Sequence, residues 1–350
     1  MDNSIKRLHE EFARLRPTVI CPANGFIKYD YLVPGGFYKQ MWDWDGFFIG
    51  VHMATRSKEE AIYLKRWAQS FISVMGEDGY VPGAITTKGP HTGLGHFPMK
   101  PFLAQGMLIG SRKLEDFSWI LPLYDDLKTI VQYREKSNFD PDYGLFYWDN
   151  AMQSGADNNV AVSNDPAESG SALACDVNAF QLREYIALSK IAEQLNKPDD
   201  VEEFAQKAEA LTAAIQHYHW SAEDETYWNV LRASGEPIKR VTYSNFVPLI
   251  QGLAPYDDGR KMISRYLWNE DHLLSPYGIR SLSKQDPEYN NVNMIVPYSN
   301  WQGPIWPITN YIYFRALMTY GFFDEAKQLA RMLRELCLRD IDIWGSMHEN

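Results

Sequence analysis

DVNAFQLREYIALSKIAEQL, residues 176–195, is followed by Asn196-Lys197-Pro198 and then by DDVEEFAQKAEALTAAIQHYH, residues 199–219. Proline has no backbone N–H to donate, and its ring clashes with the preceding turn of a helix. A proline between two long segments therefore marks the break between two helices. We predict a helical hairpin here, and the rest of the chain follows the same plan.

Helix, short turn, helix and long loop succeed one another on both sides of this hairpin. Residues 58–75, for example, place Leu64, Ala68 and Phe71 on one face, as an amphipathic helix does. With the hairpin we count eleven helices, and the other predicted segments are 4–16, a segment ending near 56, 58–75, 101–112, 114–136, 245–253, 257–268, 304–320 and 322–338.

The helices do not alternate with strands of useful length, and no repeat of fixed period is visible. These observations argue against a parallel sheet and against a solenoid. Long loops, at residues 76–98 and 275–299, separate the helical pairs. We therefore expect an all-α fold, a closed toroid of helical hairpins that forms one domain over residues 1–350 with its long loops at one end.

Composition narrows the class of protein. The chain has 350 residues and a formal net charge of −11, and its basic residues are not clustered, which disfavours nucleic acid and anionic membranes as partners. Three cysteines lie far apart, no apolar signal core begins the chain, and no run of about 18 apolar residues occurs. We therefore expect buried free thiols and a cytoplasmic enzyme. The 14% of aromatic residues fits a carbohydrate-facing cleft, although core filling explains most of them.

Residues 144–159 read Gly-Leu-Phe-Tyr-Trp-Asp-Asn-Ala-Met-Gln-Ser-Gly-Ala-Asp-Asn-Asn. No helical or strand period runs through them, so we interpret them as a loop, and loops on a rigid scaffold are where catalytic groups tend to lie. Asp157 either caps the next element in an Asx-rich turn or serves as a catalytic carboxylate.

Three further stretches combine aromatic and polar residues. In residues 41–48, Met-Trp-Asp-Trp-Asp-Gly-Phe-Phe, the carboxylates either cap a helix or bind sugar hydroxyls while the indoles pack against the ring. Residues 301–307, Trp-Gln-Gly-Pro-Ile-Trp-Pro, are either a helix start anchored by two tryptophans or a ligand site in which Gln302 donates and accepts. Residues 343–350 contain Glu349, which by itself indicates only an exposed terminal glutamate.

Together these stretches resemble glycoside hydrolases of family 63 and, less closely, the trehalases of family 37. The Trp44-Asp-Gly-Phe-Phe48 stretch is similar to a family motif, and Ser154-Gly-Ala-Asp-Asn158 resembles the loop that carries the general acid. Asp286-Pro-Glu-Tyr289 with Trp301-Gln-Gly-Pro-Ile-Trp306 resembles a further pair of motifs, and His348-Glu-Asn350 resembles the start of the segment that carries the general base. The resemblance covers the chain from about residue 30 onward and implies an (α/α)6 barrel and an inverting mechanism.

Three departures from the family pattern stand out. The family's glutamate segment is normally followed by a last barrel helix, whereas this sequence ends one residue after Glu349, so we expect a barrel that lacks its last helix. Lys100-Pro101-Phe102 stands where relatives often have Gln-Pro-Pro, which affects the expected leaving group. Ala156 and Asn159 fall at variable positions of the acid loop and leave the subfamily open.

The resemblance assigns roles residue by residue. It implies that Asp157 is the general acid and Glu349 the general base, with burial near Trp148 and Phe146 raising the pKa of the acid. Arg280 either contacts the ligand or braces its loop through a salt bridge. The expected substrate-binding residues are Trp42, Asp43, Trp44, Asp45, Lys100, Trp148, Arg280, Trp301, Gln302 and Trp306.

We expect a small α-glucoside or α-mannoside as substrate, either a disaccharide or a glycosylated small acid. Lys100 is either a solvated surface lysine, the more usual case, or pairs with the carboxylate of such an acid. No metal cluster, phosphate-binding loop or dinucleotide fingerprint occurs in the sequence, so we expect no cofactor. Two alternatives stay open: a sugar epimerase or isomerase on the same barrel, which needs histidine acid and base groups, and an inactive sugar-binding relative.

Overall fold

The computed structural model describes residues 3–36 and 38–350, and α-helices dominate this described part. In chain order they are α1 (Asn3–Leu15), α2 (Asp43–Arg56), α3 (Ile62–Ile72), α4 (Leu103–Leu114), α5 (Tyr124–Ser137), α6 (Ala151–Ser154), α7 (Cys175–Gln194), α8 (Pro198–Tyr218), α9 (Tyr256–Met262), α10 (Pro307–Thr319) and α11 (Phe323–Trp344).

The strands are two to four residues long, in keeping with the sequence prediction that no long strands occur. They are β1 (Ile20–Cys21), β2 (Tyr31–Leu32), β3 (Met41–Trp42), β4 (Ala84–Thr86), β5 (Gly89–Pro90), β6 (Phe139–Asp140), β7 (Leu145–Trp148), β8 (Ala172–Leu173), β9 (Trp220–Ser221), β10 (Thr226–Tyr227), β11 (Asn229–Leu231), β12 (Pro237–Ile238), β13 (Leu274–Ser275), β14 (Gly278–Ile279), β15 (Met294–Ile295) and β16 (Tyr298–Ser299). The largest sheet has the order β12-β11-β8-β7-β6.

The predicted hairpin at residues 176–219 is confirmed as α7 and α8. The second helix begins at Pro198 itself, because the fixed φ of proline suits the first position of a helix. The preference of proline for the first helical position also explains why the helix predicted at residues 304–320 begins later. There the helix begins at Pro307 with Trp306 as its N-cap, and Pro304 lies outside it.

Other predicted helices also differ in their type or bounds, and three of them show why. The segment 114–136 becomes α5 only from Tyr124, because a 3₁₀-helix that contains Pro122 precedes it. The segment 245–253 is a 3₁₀-helix, Tyr243–Gln251, which Thr242 caps. The segment 257–268 is α9 continued by a π-helical turn, Ile263–Leu267.

The chain divides into two compact units. The first contains Met1–Ala13, Asp140–Ala179 and Thr212–Asn350. Within it, α10 packs against the Tyr243–Gln251 helix and against α11. Phe246 and Tyr313, both buried, meet edge to face with ring centroids 5.6 Å apart, so aromatic rings fill the core between these helices.

The second unit contains Arg14–Phe139 and Phe180–Leu211. Its helices α2, α3 and α4 pack on one another. Gly46 is needed for their close approach, because a Cβ atom there would lie 2.5 Å from the Trp67 ring. Phe47 stacks on Phe102 with ring centroids 4.7 Å apart, so the end of the 41–48 stretch contributes to the core of this unit.

Every helix within the described residues is too short or too polar to cross a lipid bilayer. All three cysteines are free thiols. Cys175 is buried as expected, whereas Cys21 and Cys337 are partly exposed, so the expectation of buried thiols holds for one of the three.

Candidate active site

The loop that carries Asp157 is preceded by regular structure. Leu145–Trp148 forms strand β7, which pairs with β8 in the register Trp148↔Ala172. The helical turn Ala151–Ser154 follows, capped by Asn150, whose side chain accepts a hydrogen bond from the Gln153 N–H at 3.0 Å. The prediction of one loop over residues 144–159 is therefore wrong for the first part, because the strand depends on a partner outside the local sequence.

Gly155 ends this helical turn with φ = +88°, a conformation that glycine adopts without strain. Asp157 then lies partly exposed. Its Oδ2 atom accepts two hydrogen bonds from Ser299, one from the backbone N–H at 3.1 Å and one from Oγ at 2.9 Å. The Asn164 side chain donates to the Asp157 carbonyl at 2.6 Å, so both the carboxyl group and the backbone of Asp157 are held.

Asn158 ties the same loop to the residues that follow Ser299. Its Oδ1 accepts from the Trp301 N–H at 2.6 Å, and its Nδ2 donates to Asn300 Oδ1 at 3.3 Å. Two neighbouring residues of the acid loop thus bind three neighbouring residues of the 299–301 segment. This segment leads directly into the predicted Trp301-Gln302 motif, so the structure brings two of the four sequence stretches together.

Glu349 lies in the short segment that follows α11. Gly345, at φ = +73°, ends the helix. The His348 N–H donates to Asp340 Oδ2 at 2.6 Å, and His348 Nδ1 lies 2.8 Å from Asp340 Oδ1. The Asn350 side chain donates to the Asn293 carbonyl at 3.1 Å. Glu349 is therefore flanked on both sides by residues anchored to the first unit.

The two predicted catalytic carboxyl groups lie close enough to interact. The pKa of Glu349 is raised, first because surrounding protein atoms partly desolvate its carboxyl group and second because of the negative charge of Asp157. Although its side chain is exposed to solvent, Glu349 is thus not in the environment of an ordinary terminal glutamate. Its role as general base stays a prediction.

Trp301 and Trp306 stack on each other with ring centroids 4.1 Å apart and planes inclined by 10°. Both are almost completely buried. The Trp306 indole N–H donates to the Asn300 carbonyl at 2.9 Å, whereas the Trp301 indole N–H is buried with no hydrogen-bond partner among the described residues. Trp306 therefore anchors the start of α10, and Trp301 is the one of the pair that retains a donor.

Gln302 is partly exposed, but its amide already makes hydrogen bonds. Its Nε2 donates to Glu288 at 3.3 Å, and its Oε1 accepts from Asn290 Nδ2 at 3.0 Å. Gly303 follows at φ = +149°, and a Cβ atom there would lie 2.1 Å from the Asn290 carbonyl oxygen. This close approach requires glycine.

Trp148 does not line an accessible surface. It is wholly buried, and its indole N–H donates to Asp176 Oδ1 at 2.9 Å. The Tyr243 hydroxyl donates to Asp176 Oδ2 at 2.6 Å. The expectation that Trp148 contacts the substrate is therefore wrong for this structure, because tertiary contacts place Trp148 in a buried network.

Asp176 and Tyr243 were missed by sequence reasoning. Asp176 was recognised only as the first residue of a predicted helix, and its partners lie far away in the chain. Burial raises its pKa, although the hydrogen bonds from Tyr243 and Trp148 oppose that change. Burial also raises the pKa of Tyr243. Within the first unit this network lies close to the acid loop in the chain, because Trp148 ends β7 and α6 and Asp157 follow it.

Arg280 braces its loop. Its Nε donates to the Tyr289 hydroxyl at 3.1 Å, and Nη1 donates to the carbonyls of Leu273, at 3.3 Å, and Leu274. The structure thus supports the bracing interpretation, with carbonyl and hydroxyl acceptors in place of the expected salt bridge.

In the second unit, Asp43 and Lys100 form a buried ion pair. Their side chains are 0% and 3% exposed, and Lys100 Nζ lies 3.3 Å from Asp43 Oδ1. The Lys100 N–H also donates to Asp43 Oδ2 at 2.7 Å, and the Trp44 N–H donates to Oδ1 at 2.6 Å. The expectation that Lys100 pairs with a carboxylate of the substrate is therefore wrong here, because its ammonium group already pairs with Asp43.

The other residues of the 41–48 stretch differ in accessibility. Trp44 is buried and packs edge to face against three phenylalanines, so it belongs to the core. Trp42 and Asp45 are partly exposed. The Trp42 ring lies 5.9 Å from the His91 ring, and its indole N–H is buried with no hydrogen-bond partner among the described residues. Trp42 and Asp45 therefore remain the candidates for ligand contact in this stretch.

Within residues 3–36 and 38–350, no group of three or more histidine, cysteine, aspartate or glutamate side chains is arranged to hold a metal ion.

Comparison with known proteins gives a family match over most of the chain. The family described as the mannosylglycerate hydrolase MGH1-like glycoside hydrolase domain matches residues 38–344. A probable mannosyl-oligosaccharide glucosidase of Schizosaccharomyces pombe is 30% identical over 135 residues, which are 37% of this chain and 16% of that protein. The matched regions span 16% to 35% of the lengths of such curated relatives.

Two solved structures show the same helix-rich fold. The GH63 mannosylglycerate hydrolase of Thermus thermophilus, in complex with glucose, aligns with a TM-score of 0.69 at 19% identity, covering 95% of this chain and 91% of that one. The neutral trehalase Nth1 of Saccharomyces cerevisiae aligns with a TM-score of 0.70 at 16% identity, covering 92% of this chain and 69% of that one.

Proposed function

The chain belongs to the family of mannosylglycerate hydrolase MGH1-like glycoside hydrolase domains, within glycoside hydrolase family 63, and we propose that it is an inverting glycosidase that acts on a small α-glucoside or α-mannoside. The observation that carries the proposal is the electrostatic interaction between Asp157 and Glu349, two carboxyl groups far apart in the sequence.

An inverting glycosidase needs one carboxylic acid and one carboxylate on opposite sides of the scissile bond, roughly 6.5–9.5 Å apart, with a water molecule between substrate and base. We assign the acid to Asp157, which protonates the leaving oxygen, and the base to Glu349, which takes a proton from the attacking water. A raised pKa makes Glu349 a stronger base once it is ionised.

The proposed sugar site uses the residues that keep accessible surface or an unpaired donor. In the first unit, the buried indole N–H of Trp301 is costly without an acceptor, and a sugar hydroxyl would supply one. For Trp42 and Asp45, which are partly exposed in the second unit, ligand contact stays a prediction from the sequence. The other predicted residues make contacts within the protein, and we propose no direct contact between them and the sugar.

For the fold we propose the (α/α)6 barrel of the family as one domain over residues 1–350. The order of helices and the likeness to the hydrolase and trehalase structures support it. The three free thiols support a reducing compartment, and we propose the cytoplasm as the place of action.

The first substrates to test are α-disaccharides and α-glycosides of small acids. The Thermus relative is named a mannosylglycerate hydrolase, which supports a glycosylated small acid as substrate. Lys100 gives this proposal no support, because it pairs with Asp43. Sugar release from a panel of α-glucosides and α-mannosides tests the activity. Proton NMR of the first product tests the stereochemistry, because attack from the face opposite the leaving group gives the β-anomer. An initial α-anomer would contradict the role of Glu349, and no release from any glycoside would contradict the proposed activity.

A further inference from the structure

Ser299 makes an unusual double contact with Asp157. Both its backbone N–H and its hydroxyl donate to the same carboxyl oxygen, Oδ2, at 3.1 and 2.9 Å. The backbone N–H is a donor only, so this contact survives whichever protonation state Asp157 adopts. An oxygen that already accepts two hydrogen bonds is a poor place for a further proton.

We propose that Ser299 is a positioning residue for the general acid and that it fixes Oδ1 of Asp157 as the oxygen that carries and delivers the proton. This proposal rests on the proposed function. It adds a residue that none of the four sequence stretches contains and that no motif singled out.

Other hydrogen bonds already hold the acid loop in place, so the Ser299 hydroxyl is not needed for that purpose. Asn158 already joins the acid loop to the Trp301 backbone and the Asn300 side chain. Asn164 holds the Asp157 backbone from within the loop. The loop is therefore anchored without the Ser299 hydroxyl, which acts on the carboxyl group itself.

The two hydrogen bonds from Ser299 also stabilise the negative charge that Asp157 acquires during the reaction. As the bond between the anomeric carbon and the leaving oxygen breaks, the leaving oxygen takes the proton from Oδ1, and Asp157 becomes a carboxylate. The attacking water forms the new bond to carbon and gives its proton to Glu349, so charge and protons balance. Hydrogen bonds to Oδ2 strengthen as its negative charge develops, so they stabilise the transition state more than the ground state.

The test uses two substrates that share the cleaved sugar but whose leaving groups differ in their need for protonation. A disaccharide with a poor leaving group requires protonation, whereas the α-glycosyl fluoride of the same sugar leaves with little acid assistance. We expect Ser299→Ala to lower kcat/KM for the disaccharide by about 10- to 100-fold, the loss expected for one hydrogen bond to a charged group, and to leave the fluoride within about threefold. Ser299→Thr, which keeps the hydroxyl, is expected to restore most of the disaccharide activity.

A matched control removes the hydroxyl of another serine that follows Asp157 closely in the chain. Ser163 Oγ accepts a hydrogen bond from the Asp165 N–H at 3.1 Å, and Ser163→Ala should change neither substrate. Fluoride hydrolysis also reports that each variant is folded. Equal losses of both substrates in Ser299→Ala, or no loss of either, would overturn the positioning role, whereas a wild-type protein inactive on both would overturn the proposed function instead.

Discussion

The negative charge of Asp157 contributes to the raised pKa of Glu349, although Asp157 lies in the loop after α6 and Glu349 follows the last helix of the described chain. Repulsion between two carboxylates destabilises a folded protein, and perturbed carboxyl groups concentrate at functional sites. The interaction between Asp157 and Glu349 is therefore the structural basis for proposing them as acid and base.

Replacing the acid should separate catalysis from binding. We expect Asp157→Asn to lower hydrolysis of an α-disaccharide by about 10²- to 10⁴-fold, the usual contribution of a general acid. Sugar binding should persist, because the amide keeps the size of the side chain. Steady-state kinetics and calorimetric titration with the free sugar measure the two effects, and near wild-type turnover would remove Asp157 from the mechanism.

The pH profile should report the interaction between the two carboxyl groups. Glu349 must be ionised to act as a base, so the acidic limb of kcat/KM should lie above the ordinary glutamate pKa of about 4.3. Asp157→Asn removes the repelling charge and should move this limb to lower pH. The limb should stay above the ordinary value, because desolvation, the larger cause of the raised pKa, remains.

The α-glycosyl fluoride serves as substrate for these profiles, since it keeps the Asp157→Asn variant measurable. Glu349→Gln is the control, which should lose activity at every pH. A limb that stays in place or moves to higher pH in Asp157→Asn would contradict the electrostatic interaction.

The buried ion pair of the second unit should matter for stability. Lys100→Met leaves the Asp43 carboxylate buried without its cation, and we expect the free energy of unfolding to fall by about 3–5 kcal/mol. Urea denaturation measures the change. The double variant Asp43→Asn/Lys100→Met should be more stable than Lys100→Met, because it removes the unpaired charge. Additive losses would show that the two side chains do not act as a pair.

The network beneath the acid loop should also contribute to stability. Tyr243→Phe removes the hydroxyl that donates to Asp176 at 2.6 Å and leaves a buried carboxyl oxygen without that donor. We expect the free energy of unfolding to fall by about 1–3 kcal/mol. Tyr277→Phe is the matched control, since Tyr277 is 55% exposed and should tolerate the change within about 0.5 kcal/mol. Equal effects at the two positions would mean that the buried hydroxyl adds nothing.

Local sequence signals were sufficient where structure depends on neighbours in the chain. Pro198 and the segments around it predicted the hairpin of α7 and α8, since proline constrains the backbone regardless of tertiary context. Gly155, which adopts a positive φ before Asp157, is a residue type that takes this conformation without strain. The family resemblance named Asp157 and Glu349 as the catalytic pair, and this assignment stays a prediction.

Tertiary structure decided which side chains are accessible and which are paired. The sequence suggested Trp148 and Lys100 as ligand-binding residues. In the structure the Trp148 indole N–H donates to Asp176, and the Lys100 ammonium group pairs with Asp43. Ser299 belongs to none of the sequence motifs, yet it donates two hydrogen bonds to Asp157. The sequence by itself determined the helices, the turns and the types of side chain available for catalysis, because these follow from contacts a few residues apart. Only the folded chain decided burial, ion pairing and the meeting of two distant carboxyl groups, because those depend on partners that packing selects from anywhere in the sequence.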